Sequence, residues 1–369
     1  MKYAKVILAV SAVMFMAGAA SADIDINGIG SYATIQAAID AANVPGDTIN
    51  VSAGTYDEVL TINKPINLIG AGAGSTTLTY TNAGALRGQL IMLGANQGLT
   101  IDGSVTIDGF TLRHDAGLYD DNNLIKFRAS SNGGLISIQN NIFDQNGTDI
   151  TAIEEAYGAG NFLIDNNQFN SSYAIWLNSA HDGTISGNTL TASKIGMGGS
   201  GAAGDNPRDL TVTGNTIDGA SYGLVLANNI ERIAFTQNDI LNCTAAGVLY
   251  WDYGPYAWDD VVFNYNNIVG NADGFLGYDG ADTLPKLVDG TMNWWGDPSG
   301  PSGGFLDPVT GTPANGTGDS IVLHNLAFDA WATAPDPVPV PGAFVLGAIG
   351  IGMVGAYTRK RRQAGAAEV

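Results

Sequence analysis

The chain has 369 residues, of which 45% are hydrophobic and only 14% charged, with 50 Gly, 13 Pro and a single Cys. Its formal charge of −20 disfavours nucleic acid and polyanionic polymers such as pectate as partners. The lone Cys243 excludes an internal disulfide and reads as a small buried hydrophobe.

Residues 1–22 have the build of a secretory signal: Lys2 and Lys5, the apolar run Val6 to Met16, then Ala20-Ser21-Ala22 for cleavage. The protein is therefore expected to be exported. Without this segment and the basic tail, 9 basic residues face 34 acidic ones, a balance of about −25. Next, Tyr32 to Ala42 places Ile35, Ala38, Ile39 and Ala42 at helical spacing. An amphipathic helix of about three turns is expected there, as a cap over the open end of a repeat array.

The middle of the chain repeats one phrase: apolar, two residues, Asn, one residue, apolar. It reads Ile138 to Phe143, Ile164 to Phe169, Ile185 to Leu190, Val212 to Ile217, Phe235 to Ile240 and Phe263 to Ile268. A degenerate copy spans Val105 to Phe110, and Asn293-Trp294-Trp295 resembles a last one. The Asn positions 141, 167, 188, 215, 238, 266 and 293 lie 26, 21, 27, 23, 28 and 27 residues apart. A period of that length signals a solenoid whose units bury their apolar faces on one another. Asn suits a tight bend between two short strands, because its side chain bonds nearby backbone and tolerates left-handed dihedrals. Stacked copies are then expected to bond one another along the axis.

A second apolar run follows each phrase, as in Ala174 to Leu177, Ile195 to Met197, Gly223 to Leu226 and Gly247 to Tyr250. That makes roughly three short strands per coil, with helix signals nearly absent. The expected fold is all-β, a right-handed parallel β-helix over residues 23–331 with an N-terminal capping helix.

The opening GDTI-V-AGTY-E (Gly46 to Glu58) and I-KPI-L-G (Ile62 to Gly70), behind the helix TIQAAIDAA, resembles pectin-methylesterase and pectate-lyase-like β-helix proteins. The closing Met292 to Pro301 is similar to the end of many secreted β-helix repeat proteins. This resemblance implies the fold over residues 31–331 and brings over no catalytic residue: a polygalacturonase Gly-His-Gly and the methylesterase Asp pair are both missing.

A Pro-rich linker occupies residues 332–341, an apolar stretch residues 342–358, and Arg359-Lys360-Arg361-Arg362 opens a basic tail to 369. About 16 helical residues reach roughly 24 Å, short of a bilayer core near 30 Å. The basic cluster places the tail end in the cytoplasm. The layout resembles the PEP-CTERM sorting signal, with Pro339-Val340-Pro341 at the Pro-Glu-Pro position. It implies transient membrane anchoring, an exosortase-type partner and a destination in the cell envelope or matrix.

Chemistry is expected at three places. If the apolar partners of each second run point inward, the outward column is Trp176, Gly196, Val225, Leu249 with Trp251, and Leu276, with Lys194 at its edge. The stretch Trp251 to Asp260 adds Tyr253, Tyr256 and Trp258, flat rings of the kind that stack on sugars. Its Asp252, Asp259 and Asp260 supply oxygen ligands that suit Ca²⁺. Lys194, Asp205 and Arg208 around a Gly-rich stretch are the candidates for acid–base work, with a structural ion pair as the plainer reading. The neighbour pairs His114-Asp115 and His181-Asp182 lack the further ligands a zinc or copper site needs. The composite expectation is a non-catalytic, surface-sorted protein binding extracellular polysaccharide, or alternatively a polysaccharide lyase or hydrolase on the same scaffold.

Overall fold

The computed structural model describes residues 23–335, apart from 82–88, 95–98, 115–122, 145–149, 157, 200–205, 252–257 and 279–282. The signal segment, the apolar stretch and basic tail, all but the start of the Pro-rich linker, and Asp115, Asp205, Asp252, Tyr253 and Tyr256 lie outside the described residues.

The chain winds as a right-handed parallel β-helix with three strands per coil. Ile136–Gln139, Ile142–Asp144 and Thr151–Glu155 form one coil, and Gly160–Asp165 then stacks in parallel on the first of them. The coils build a long sheet of 12 strands, a second of 9 and a third of 11. Alternation along each strand sends every second residue to the axis, as with Ile136 and Ile138. In the long sheet one such column runs Ile138, Ile164, Ile185, Val212, Phe235, Phe263. In the second it includes Phe143 and Phe169, whose rings stack at 4.6 Å, while Phe235 and Phe263 stack at 4.4 Å. These distances match the separation of hydrogen-bonded strands, so like residues fall directly on one another.

The repeated Asn occupies the corner between the long and second sheets. All seven Asn side chains are 0–1% exposed. Each carboxamide oxygen takes the backbone N–H of the preceding rung, from Phe110 N–H to Asn141 at 3.0 Å through Asn266 N–H to Asn293 at 2.8 Å. Each Nδ2 donates to a carbonyl of the coil before, as Asn188 does to Ile164 and Asn215 to Ile185. The left-handed residue of the corner, however, is not the ladder Asn but its predecessor: Asn140, Asn166, Gly187, Gly214, Gln237, Tyr265 and Met292 all have φ between 52° and 65°. The Asn was placed correctly for its bonds and wrongly for its dihedrals.

At the N-terminal end the helix Ile35–Ala41 buries Ile35, Ala38 and Ile39 against the first coil. It is shorter than the expected three turns because Thr34 is the extended N-cap and accepts from Ala37 N–H. Glu58, from the same coil, accepts the N–H groups of Ile35 and Gln36 at 2.9 and 3.0 Å. At the other end Trp295, fully buried, closes the core below Phe275. Among the described residues no helix is long and apolar enough to cross a membrane.

Candidate functional site on the third sheet

From Val105 onwards only two residues separate each long-sheet strand from its second-sheet successor. Connections that adjoin the third sheet vary in length: Asn170 to Tyr173 and Thr191 to Lys194 leave two residues, whereas Asp144 to Thr151, Met197 to Arg208 and Trp251 to Trp258 leave six to ten. Long connections on a regular scaffold are where binding residues concentrate, so the outer face of the third sheet is the place to build from.

Its central column, in register, is Met92, Lys126, Glu154, Trp176, Gly196, Val225, Leu249, Leu276. The sequence reading of Trp176 to Leu276 was therefore correct in direction. It missed the two coils before. There Lys126 Nζ lies 2.6 Å from Glu154 Oε2, and Asn123 donates to the same oxygen. The signal was available in Ile125-Lys126-Phe127 and Ile153-Glu154-Glu155, which share the inward–outward–inward pattern of Ile175-Trp176-Leu177. Val225 and Leu249, although on the outer face, are only 2% exposed.

Trp176 is held from two sides. Its benzo ring occupies the space where a Cβ on Gly196 would stand, 2.2 Å from that position. Its indole N–H donates to Asn178 Oδ1 at 3.0 Å. Tyr173 meets it edge-on at 5.7 Å, and the Lys194 ammonium lies 3.7 Å from the Tyr173 ring centre. A half-exposed indole with a fixed orientation is thus flanked by a cation–π pair and an ion pair.

Beneath this face Glu155 takes a place in the inward column between Phe127 and Leu177. It is fully buried. Its carboxyl oxygens accept four backbone N–H groups, from Gly158, Ala159, Asn178 and Ser179, at 2.8 to 3.1 Å. Burial pushes its pKa above the ordinary carboxylate range, against the pull of those four donors. The Glu155 carbonyl also accepts Asn178 Nδ2 at 2.7 Å, so Asn178 is fixed at both ends and Trp176 through it.

The described ends of the stretch Trp251 to Asp260 belong to two different sheets, and Asp252, Tyr253 and Tyr256 lie outside the described residues. Trp251 ends a third-sheet strand and lies 5.2 Å from Tyr278. Trp258 begins a long-sheet strand, is 1% exposed, packs on Tyr250 and donates its indole N–H to Asn228 O. Assigning Trp258 to a ligand surface is thereby corrected: the spacing of aromatics did not reveal that one of them is buried in the core. Asp259 and Asp260 are exposed on the long sheet, and Lys286 binds Asp259 at 2.6 Å. That contact holds the Asp259 carboxyl below the usual range. Among the described residues no group of three or more His, Cys, Asp or Glu side chains is placed to hold a metal ion.

Arg208 and Lys194 also part company. Lys194 is on the third sheet, whereas Arg208 pairs between His181 and Glu231 on the long sheet. There five successive rungs each carry a left-handed residue, namely Asn161, Asp182, Asp209, Arg232 and Asp260, stacked without a break in register. Arg232 grips Asp209 with two bonds of 2.6 and 2.8 Å, and His181 Nδ1 meets Asp182 at 2.9 Å. This row is an ion-paired flank.

Residues 91–267 match the family model of a right handed beta helix region. No curated protein is similar to the chain. Among solved structures, the chain is similar to the A-module of the Azotobacter vinelandii mannuronan C-5 epimerase AlgE6, at 15% identity and a TM-score of 0.45 over 82% of this chain and 95% of that one. It is also similar to a pectin methylesterase in complex with a hexasaccharide, at 15% identity and a TM-score of 0.37 over 68% and 77%. A mannuronic acid specific polysaccharide family 6 lyase from human gut microbiota follows at 13% identity and a TM-score of 0.26 over 82% and 87%. At these identities the likeness is one of fold alone.

Proposed function

We propose that the protein is exported, sorted to the cell envelope through its C-terminal signal by an exosortase-type enzyme, and binds an extracellular polysaccharide on the outer face of the third sheet without cleaving it. The single observation that carries the binding reading is Trp176: an indole fixed by Gly196 and Asn178 and only partly buried. Such a ring loses little freedom when a sugar stacks on it, which is what a glycan platform requires. The ligand is a neutral glycan. Lys126 is already matched by Glu154, and the acidic chain repels a polyuronate.

A second reading, a lyase or hydrolase, is favoured by Glu154 and by Tyr173 beside Lys194, which bring proton-transfer groups within one rung of Trp176.

Glycan-array or pull-down retention tests both. Trp176→Ala is expected to lower retention at least tenfold. Gly196→Ala is expected to do the same by evicting the ring, while both variants melt within about 1 kcal/mol of the parent. Unchanged retention would sink the platform. Release of shortened products by the parent, lost in Glu154→Gln, would establish the second reading.

A further inference from the structure

The C-terminal end of the solenoid carries a hairpin with no counterpart among the described residues of the repeats. Leu306 and Pro313 bridge its two arms, and Gly311 N–H closes its turn on Asp307 O at 2.9 Å. Asp307, 2% exposed, organises it. Its carboxylate accepts Val309 and Thr310 N–H from the hairpin, and Phe328 and Asp329 N–H from the segment by which the chain leaves the fold. Burial alone would raise this carboxyl, but the four donors prevail and hold it below the usual range.

The large side chains that this hairpin shows to solvent are apolar. Leu306 is 58% exposed and Val309 65%, with Leu287 at 58% on the long-sheet strand that pairs beside His324. A cleft of about 560 Å³ opens between Phe305, Leu306, Pro308 and His324. Between Pro298 and Gly318 Asp307 is the sole charged residue, and it is buried. In a chain of net charge −20, exposed apolar side chains on a stretch with no exposed charge suit an uncharged, partly apolar interface.

The chain also leaves the fold here. Trp331 packs on Gly300, and Ala332 N–H donates to Asn293 O. From Pro335 to the apolar stretch at Gly342 a fully extended backbone reaches at most about 25 Å. If that stretch enters a bilayer, the hairpin is held within that distance of the surface.

We infer that the hairpin of residues 303–313 is an interfacial foot, seating the C-terminal end of the solenoid on the bilayer that holds the tail, with Leu306 and Val309 in the headgroup–acyl boundary. The inference rests on the reading of residues 342–358 as a membrane helix. Its lipid partner is zwitterionic, since the surrounding acidity repels an anionic surface.

The test uses the full chain in phosphatidylcholine vesicles, labelled with a fluorophore on Val309→Cys or, as a control on the exposed outer face of the long sheet, Thr211→Cys. Nitroxide groups on the lipid chains serve as the quencher, and native Cys243 is buried. The label at 309 is expected to be quenched at least fivefold more than that at 211, and Leu306→Asp is expected to remove most of the difference. Equal quenching at both positions in a chain that co-floats with the vesicles would overturn the foot and leave the membrane helix standing. Failure to co-float, with neither label quenched, would overturn the helix and the foot together.

Discussion

The Asn corner and the outer face of the third sheet are built on the same rungs, and they obey opposite rules. At the corner each coil repeats the last one: an Asn, the same pair of bonds, a left-handed residue before it. On the outer face, successive rungs carry Lys126, Glu154, Trp176, Gly196 and Val225, no two alike. A buried polar group has to be bonded on every rung, so the corner has one economical solution and keeps it. The outer face bears no such obligation, and its side chains are free to differ. In a solenoid, then, repetition marks what holds the fold and departure from it marks what the fold displays.

The contrast is sharpest in stability. Asn215→Ala removes the bonds that Nδ2 donates to Ile185 O, Thr213 O and Asn238 Oδ1, and leaves the Asn188 N–H and carboxamide without their acceptor in a dry corner. It is expected to cost about 3 kcal/mol in denaturant unfolding. A cost as small as that of Trp176→Ala would break the distinction between corner and face.

Glu155→Gln comes next, at about 2 kcal/mol, because an amide nitrogen would confront two of the four backbone donors. Loss of glycan retention alongside the shift in midpoint would tie this core residue to the face above it, through Asn178. Tyr265 sharpens the corner rule from the other side. It sits at φ 61° and is 45% exposed, so Tyr265→Gly relieves left-handed strain and is expected to raise stability by roughly 0.5 kcal/mol after the entropic cost of glycine. A lower melting temperature would show that the phenol, not the dihedral, matters there.

The smallest effect lies on the ion-paired flank. The guanidinium of Arg232 holds the Asp209 carboxyl below its ordinary value, so the pair contributes stability above about pH 4 that is lost as pH falls through the folded value. Thermal melts from pH 5 to 3 are expected to fall slightly less steeply for Asp209→Asn than for the parent. Parallel curves would mean that the exposed pair contributes nothing.

Much of this architecture was legible in the residues. The Asn spacing set the coil length, the apolar partners set which way each strand faces, and the column from Trp176 to Leu276 followed from alternation alone. These are properties of period, and a period survives in one dimension. Three features were decided only in three dimensions. Trp251 ends a strand of the third sheet and Trp258 begins one of the long sheet, a division that spacing along the chain does not show. Lys126 and Glu154 join Trp176 on one face because strands 22 to 28 residues apart stack in register. Glu155, a charged residue in an apolar column, is tolerated there because backbone N–H groups from two successive turns converge on it. Local sequence states which groups a residue carries; which groups of another coil stand ready to meet them depends on the stacking.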